Sequence, residues 1–346
     1  MSSQEASFGP GSHSERQHDL CCVGTALIDH LSFAGLDVVE ALGLDAGSMT
    51  LVDGAAASKI REVVGEGREV SGGTVANTAA GVASLGGRPV YVGAVAEDDL
   101  GARYEADLES AGVRAVLERL PLADAGTTGT GACYVIVTPD SERTMATTLG
   151  VSGLLHASVL EESTISASEL VYFDGYLLDF PDSAAIVGRI LDLAGQSGTR
   201  VALGLADPFV VDRHHDRLVE LLERVDVVFA NEEEAIGMTG ASTAEQAVES
   251  LRRPGRLAVV TRGSKGAVLA SDSEVVMIEP VPVSQVVDVT GAGDLFAAGV
   301  SYGYTHGLDV LTCGKLGALC AAEAISHLGA RPATSLSELA SSAGLI

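Results

Sequence analysis

Tryptophan is absent from this chain of 346 residues, and aromatic residues as a whole make up only 4% of it. Basic residues are also scarce, because 21 lysines and arginines stand against 47 acidic residues and leave a formal charge of −26. Such a negative field repels nucleic acid and anionic membranes, and it repels free nucleotides unless a cation compensates. We therefore expect no nucleic-acid or membrane partner, and we interpret the acidity as a solvated surface.

Cysteine is rare as well, with five residues at positions 21, 22, 133, 313 and 320 and no CxxC spacing. An odd, unpatterned set favours reduced thiols, so we expect a cytoplasmic protein. The eight histidines include no HxxxH or HExxH pair, which argues against a histidine-rich metal site. No signal-like segment opens the chain and charges interrupt its long apolar stretches, so we predict no membrane span.

Apolar residues, in contrast, make up 47% of the chain, and glycine occurs 41 times, which is typical of a globular enzyme. Residues 1–18 lack apolar periodicity and are predicted to be a disordered leader. From residue 19 to residue 346, short apolar runs alternate with amphipathic helical segments. This pattern predicts one α/β domain whose central, mostly parallel sheet is covered by helices on both faces. Two excursions, at roughly 29–53 and 113–147, are predicted to form a small β lid.

The most informative stretch is D-V-T-G-A-G-D at residues 288–294, which runs directly into the apolar segment L-F-A-A-G. Its glycines let several backbone N–H groups point the same way at the start of a buried helix, which predicts an anion hole at Gly291, Ala292 and Gly293. Asp294 lies where the helix field is strongest, so we predict that it is a general base. An ordinary glycine turn with an acidic helix cap is the simpler interpretation.

A second group of residues is suited to a hydroxyl-bearing substrate. Asp29 lies just past the first predicted strand, where open α/β sheets bind ligands. Gly73 enters a helix of small residues, and Asn77 on its first turn can both donate and accept hydrogen bonds. The simpler interpretations are a turn residue at position 29 and a closely packed core helix.

A third group is suited to phosphate and a cation. Asn231 and Glu234 follow a predicted strand on the first helical turn, where they could hold Mg²⁺ through water, or form a capping box instead. The segment T-R-G-S-K-G at 261–266 follows the next strand, and its glycines would let nucleotide phosphates lie against the backbone. Arg143 could steady a phosphate, although arginines in surface hairpins are common. P-loop spacing and a GxGxxG fingerprint are both missing, which disfavours a P-loop fold and a dehydrogenase.

Taken in order, these motifs resemble those of the ribokinase-like (PfkB) family of sugar and nucleoside kinases over nearly the whole chain after residue 18. The resemblance rests on S-G-G-T-x-A-N-T at 71–78, N-x-x-E at 231–234, T-x-G-x-x-G at 261–266 and D-x-T-G-A-G-D at 288–294. Gly47-Ser48-Met49 and Arg143-Thr144-Met145 look most like the adenosine kinase branch. The implied fold is ribokinase-like, with the lid described above.

The resemblance also implies a role for each residue. The implied contacts of the acceptor hydroxyls are Asp29, Gly73 and Asn77. The implied catalytic set is Asp294 as the base, Gly291, Ala292 and Gly293 as the anion hole, and Arg143 on the transferring phosphate. ATP would lie against Asn231, Thr261, Gly263 and Gly266, with Glu234 organising Mg²⁺. Asp288 and Thr290 resemble the family's monovalent cation site, which implies K⁺.

The implied activity is transfer of the γ-phosphate of ATP to a primary hydroxyl, with the 5′-OH of adenosine as the favoured acceptor. The alternatives are a sugar kinase of the same fold, a nucleoside kinase acting on inosine or guanosine, and a non-catalytic nucleotide-binding protein. The intact Asp294 argues against the last, because a pure binder needs no base. The sequence leaves open whether the protein is a monomer or a homodimer.

Overall fold

A computed structural model of the protein describes residues 16–65, 67–122, 129–139 and 143–346. Its strands are β1 (His18–Val23), β2 (Leu27–Phe33), β3 (Met49–Leu51), β4 (Arg68–Ser71), β5 (Pro89–Ala96), β6 (Arg114–Leu120), β7 (Gly131–Val137), β8 (Arg143–Thr148), β9 (Ser168–Asp174), β10 (Arg200–Gly204), β11 (Val227–Asn231), β12 (Leu257–Thr261), β13 (Ala267–Ala270) and β14 (Val275–Ile278). Its α-helices are α1 (Leu36–Ala41), α2 (Gly54–Val64), α3 (Thr74–Ser84), α4 (Asp99–Ser110), α5 (Glu162–Ser166), α6 (Ser183–Ser197), α7 (Pro208–Leu222), α8 (Glu232–Thr239), α9 (Ala244–Leu251), α10 (Ala292–Thr305), α11 (Val310–Ala324) and α12 (Leu336–Ser342).

The larger sheet contains nine of the described strands, in the order β14-β13-β12-β11-β10-β9-β1-β5-β6. Its neighbouring strands are parallel except at β12–β13 and β13–β14, which are antiparallel. Every residue of the interior strand β1 is buried. A strand covered on both faces cannot alternate apolar and polar residues, which explains the continuous apolar run in the sequence.

Helices cover both faces of this sheet and create two apolar cores. One core joins the sheet to α6, α7, α8 and α9. The other joins it to α3, α4, α10 and α11. The predicted α/β fold, with a mostly parallel sheet between two layers of helices, is therefore confirmed. No helix in the described parts of the chain is long and apolar enough to cross a membrane.

A smaller, five-stranded sheet has the order β3-β8-β7-β2-β4 among the described residues. Burial alternates along β2, so that one face of this sheet is covered and the other is more open. Val39 of α1 and Ala57 and Ile60 of α2 pack on the covered face. The open face is turned toward the carboxyl end of the larger sheet and contributes to the cavity described below.

Three predicted assignments need correction. Residues 114–120, assigned to the lid, form β6 and pair in parallel with β5, because a β-α-β connection through α4 returns the chain to the larger sheet. β4, which the prediction left out, joins the smaller sheet by pairing antiparallel with β2. His18, assigned to the leader, begins β1. The leader residues 1–15 and the lid residues 123–128 and 140–142 lie outside the described residues.

Candidate active site

The glycine motif lies at the N-terminus of α10, but only part of the predicted anion hole has free amides. Gly291 is its N-cap and has a φ of +77°. A Cβ at this position would lie 2.5 Å from the Cβ of Ala330, so only glycine fits both the backbone conformation and the space. The amides of Gly293 and Asp294 have no acceptor among the described residues, whereas that of Ala292 donates to the carbonyl of Val289 at 3.3 Å. Free amides at a helix N-terminus can bind an anion.

Asp294 lies on the first turn of α10 and is held by a side chain from another helix. Its Oδ2 accepts a hydrogen bond of 2.8 Å from Nδ2 of Asn77, on the first turn of α3. Burial raises the pKa of Asp294 to about 7, and the charge of Asp174 adds to the rise while the Asn77 bond opposes it. A carboxylate with a pKa near neutrality is suited to accept and release a proton.

A cavity of about 230 Å³ lies between the open face of the smaller sheet and the N-termini of α3 and α10. Its polar wall contains three predicted substrate contacts, Asp29, Gly73 and Asn77, together with Thr290, Gly291 and Asp294. Burial raises the pKa of Asp29 to about 7 as well. The smaller sheet also contributes apolar side chains to the lining, including Leu27, Met49, Leu51 and Met145. We call this space the acceptor cavity.

The polar side of the acceptor cavity has a close backbone approach at Gly73 and a buried, unpartnered acceptor at Asn77. Gly73 has a φ of +91°, and a Cβ there would lie 2.4 Å from the carbonyl oxygen of Thr25, so the close approach of α3 to the end of β1 requires glycine. Asn77 is only 4% exposed, and its Oδ1 has no hydrogen-bond partner in the described structure. A buried acceptor without a donor is costly, and a hydroxyl in the cavity would satisfy it.

A second cavity, of about 220 Å³, lies over the carboxyl ends of the strands of the larger sheet. Its lining includes Asp174, Asn231, Glu234, Thr261 and Asp294, but no lysine, arginine or histidine. Thr74 and Asp294 line both cavities, so the predicted base lies at their junction. Gly263 and Gly266 belong to the turn after Thr261 and do not line the second cavity. We call this space the nucleotide cavity.

Asn231 and Glu234 form the capping box that was the alternative interpretation of their spacing. Oε1 of Glu234 accepts from Asn231 Nδ2 at 2.6 Å, and Oε2 accepts from the backbone amide of Asn231 at 3.0 Å. Burial raises the pKa of Glu234 to about 7 against these hydrogen bonds. The capping box therefore fixes both side chains at the wall of the nucleotide cavity, where Glu234 lacks a compensating positive charge.

Asp174 is a site residue that the sequence analysis missed. It ends β9 and is 2% exposed, and its Oδ2 accepts a hydrogen bond from the hydroxyl of Thr74 on α3. Burial raises its pKa to about 6. The available signal was its position, because a carboxylate directly after an apolar parallel strand points to the ligand-binding edge of an α/β sheet.

Asp288, Thr290 and Arg143 meet beside the acceptor cavity. The carboxylate of Asp288 accepts from the amides of Thr290 at 2.8 Å and Gly329 at 3.0 Å, and it pairs with Arg143 at 2.7 Å. Arg143 also donates to the hydroxyl of Thr290. Burial acts to raise the pKa of Asp288, but these hydrogen bonds outweigh it and lower the pKa. The loop 326–329 is thereby fastened to the motif that precedes α10.

The predicted metal positions fit a cation only in part. The described residues contain no group of three or more histidines, cysteines, aspartates or glutamates that could hold an ion directly. The nucleotide cavity nevertheless combines three carboxylates of raised pKa with no basic side chain, which suits a cation bound through water and phosphate oxygens. At the predicted K⁺ site, both carboxylate oxygens of Asp288 already accept hydrogen bonds, Oδ1 from the Thr290 amide and Arg143 and Oδ2 from the Gly329 amide.

This arrangement, an anion hole and a carboxylate at the junction of two cavities, is what a phosphotransferase requires. The pfkB family of carbohydrate kinases matches residues 48–336, and the chain belongs to that family. Its members are ATP-dependent phosphotransferases that act on hydroxyl groups, and this chain is an enzyme of that class. The family assignment made from the motifs is confirmed.

Two solved structures are very similar to this chain. A probable sugar kinase from Rhizobium etli has a TM-score of 0.90 and 36% identity and covers 96% of this chain and 100% of its own. Adenosine kinase from Sinorhizobium meliloti has a TM-score of 0.88 and 36% identity, with 94% and 99% covered. Adenosine kinase from Saccharomyces cerevisiae is 28% identical over 281 residues, which span 76% of this chain and 80% of that protein.

Proposed function

We propose that this enzyme transfers the γ-phosphate of ATP to the 5′-hydroxyl of adenosine, giving AMP. The observation that carries the proposal is the position of Asp294, which lines both cavities and lies on the helix turn that presents the free amides. A hydroxyl in the acceptor cavity and a phosphate in the nucleotide cavity would meet at this carboxylate.

The acceptor cavity favours a nucleoside over a free sugar. Asp29 and Asn77 offer hydrogen-bond partners for the hydroxyls of a ribose. The leucine and methionine side chains that the smaller sheet contributes would contact a purine, whereas a free sugar has no apolar part to place there. A sugar kinase remains the second candidate, because the relative from Rhizobium etli is at least as similar to this chain as the adenosine kinase from Sinorhizobium meliloti.

In the proposed mechanism, Asp294 accepts the proton of the 5′-hydroxyl as its oxygen attacks the γ-phosphorus in line. The amides of Gly293 and Asp294 donate to the oxygens of the transferred group, and Arg143 steadies the same charge. Kinases of this family use ATP and Mg²⁺, and a magnesium ion would supply the positive charge that the nucleotide cavity lacks. Asn231 and Glu234 would hold its water ligands, and Thr261 would contact the phosphates. The smaller sheet would act as the lid.

The test is ATP consumption by the purified protein with adenosine, inosine, guanosine, ribose and fructose in parallel. We expect turnover on nucleosides, led by adenosine, and a loss on the order of 10² to 10⁴ in kcat for Asp294→Asn. Asp212→Asn, on the exposed face of α7, is the matched control and is expected to keep the parent rate. Near-normal turnover of Asp294→Asn would refute the base, and turnover on free sugars alone would replace the proposed substrate.

A further inference from the structure

A third cavity, of about 500 Å³, lies on the covered face of the smaller sheet, on the other side of that sheet from the acceptor cavity. Its walls come from α2, from β2, β7 and β8, and from Leu100 of α4 and Thr130. Leu100 packs against the core beneath the larger sheet, and Thr130 donates to Asp98 at 2.7 Å. The cavity therefore spans the junction between the two sheets. We call it the outer cavity.

The same strands of the smaller sheet separate the outer cavity from the acceptor cavity and line both of them. Because successive side chains of a strand point to opposite faces, neighbouring residues serve different cavities. Asp29 lines the acceptor cavity and His30 the outer one; Cys133 and Tyr134 divide in the same way on β7, as do Thr147 and Thr148 on β8. None of the residues proposed for phosphoryl transfer lines the outer cavity.

Several polar groups in the wall of the outer cavity lack a partner. His30 is 5% exposed, and while its Nδ1 lies 3.2 Å from Glu69, its Nε2 has no hydrogen-bond partner among the described residues. Tyr134 stacks on His30 with 5.0 Å between ring centroids. The hydroxyls of Tyr134 and Thr148 also make no hydrogen bond within the described structure. Burial lowers the pKa of His30, so its imidazole is neutral near pH 7 and Nε2 is an acceptor.

The charges at the outer cavity balance. Arg61 and Glu62, both on α2, line it with opposite signs. A chain with a formal charge of −26 has no general attraction for a free anion, and a single exposed arginine beside a glutamate does not reverse that. Unpaired hydroxyls, a neutral imidazole and an apolar floor of Ala57, Leu100 and Ala132 instead suit an uncharged ligand with several hydroxyl groups.

We propose that the outer cavity is a second binding site, separate from the site of phosphoryl transfer, for a neutral, hydroxyl-rich small molecule of sugar or nucleoside size. His30 Nε2 accepts a ligand hydroxyl, Tyr134 and Thr148 complete the hydrogen bonds, and Arg61 and Glu62 close the rim. The proposal does not depend on which acceptor the enzyme phosphorylates, because none of these residues belongs to the acceptor cavity.

The test uses the full chain with a saturating non-hydrolysable ATP analogue and two probes, D-ribose and adenosine, each titrated separately. Hydrogen exchange of α2 localises binding, and equilibrium dialysis counts bound molecules. We expect at least one probe to slow exchange in residues 54–64. If ribose alone slows exchange, the ligand is a free sugar; if adenosine alone does so, it is a nucleoside. If both probes slow exchange, the site binds the ribosyl hydroxyls that the two probes share. Each of these outcomes supports the site.

The matched variant is Tyr134→Phe combined with Thr148→Val, which removes two hydroxyls and nearly preserves volume. It is expected to lose the protection of α2 and one bound molecule per chain, while binding at the acceptor cavity is kept. Arg61→Ala, at an exposed helix position, provides the same test if the double variant fails to fold. Unchanged exchange of α2 with both probes, or protection that survives in both variants, would overturn the proposal.

Discussion

Arg143 and Asp288 form an ion pair, with 2.7 Å between Nη2 of the arginine and Oδ1 of the aspartate. Arg143 is the first residue of β8 in the smaller sheet, and Asp288 belongs to the loop that leads into α10. The pair is largely buried, with side-chain exposures of 17% and 0%. It therefore joins the proposed lid directly to the loop that precedes the proposed anion hole.

Replacing Arg143 with alanine removes the cation proposed to act on the transferred phosphate and leaves the buried Asp288 carboxylate without its ion-pair partner. We expect kcat to fall on the order of 10² to 10³, as when an enzyme loses one transition-state donor. Steady-state kinetics with the preferred acceptor measures this. Arg119→Ala, which breaks a more exposed ion pair with Glu105, is the control and should leave kcat unchanged. Equal rates in both variants would show that Arg143 has only a structural role.

The pH dependence of the reaction tests the proposed role of Asp294 as the base. As a base it must be deprotonated, and its pKa is raised to about 7, so kcat/KM should fall as the pH drops below about 7. Asp174→Asn removes a nearby negative charge that favours the protonated form. The acidic limb of the profile should therefore move to lower pH in this variant. A limb that stays in place would mean that another group controls it.

The raised pKa of Asp294 should also make thermal stability depend on pH. A carboxyl whose pKa rises from 3.8 to about 7 on folding binds its proton more tightly in the folded state, so stability is lost as the pH rises between these values. Asp294→Asn removes that penalty, which is at most a few kcal/mol at about 1.4 kcal/mol per pKa unit. Its Tm should exceed that of the parent by more at pH 8 than at pH 5. An equal difference at both pH values would contradict the raised pKa.

Gly291→Ala tests the architecture of the anion hole against Gly240→Ala. Both glycines have positive φ, at +77° and +68°, so both substitutions strain the backbone by about 1 kcal/mol. Only the Cβ at position 291 meets other atoms, those of Ala330. We expect Gly291→Ala to lose most of its activity and to have a lower Tm than Gly240→Ala. Gly240→Ala should keep the parent kcat. Similar kinetics in the two variants would show that the contact with Ala330 is not required.

Much of the fold was predictable because it depends on local patterns. Continuous apolar runs such as Leu20 to Val23 are buried on both faces of a parallel sheet, and Gly291, with its positive φ, marks the start of α10. The spacing of Asn231 and Glu234 likewise allowed a capping box, which the structure contains. These features need no knowledge of distant parts of the chain.

The sequence by itself determined the α/β class with its mostly parallel sheet, the glycine turn before α10 and the candidate base Asp294. Only the tertiary structure decided that β6 belongs to the larger sheet and β4 to the smaller one, since short alternating strands choose partners by long-range packing. It also decided that Asp174 faces Thr74 and that Arg143 pairs with Asp288, contacts separated by 100 and 145 positions in the chain. A sequence pattern predicts only contacts between residues that are close in the chain. Burial and charge at the site depend on residues that come together only after the sheets have packed.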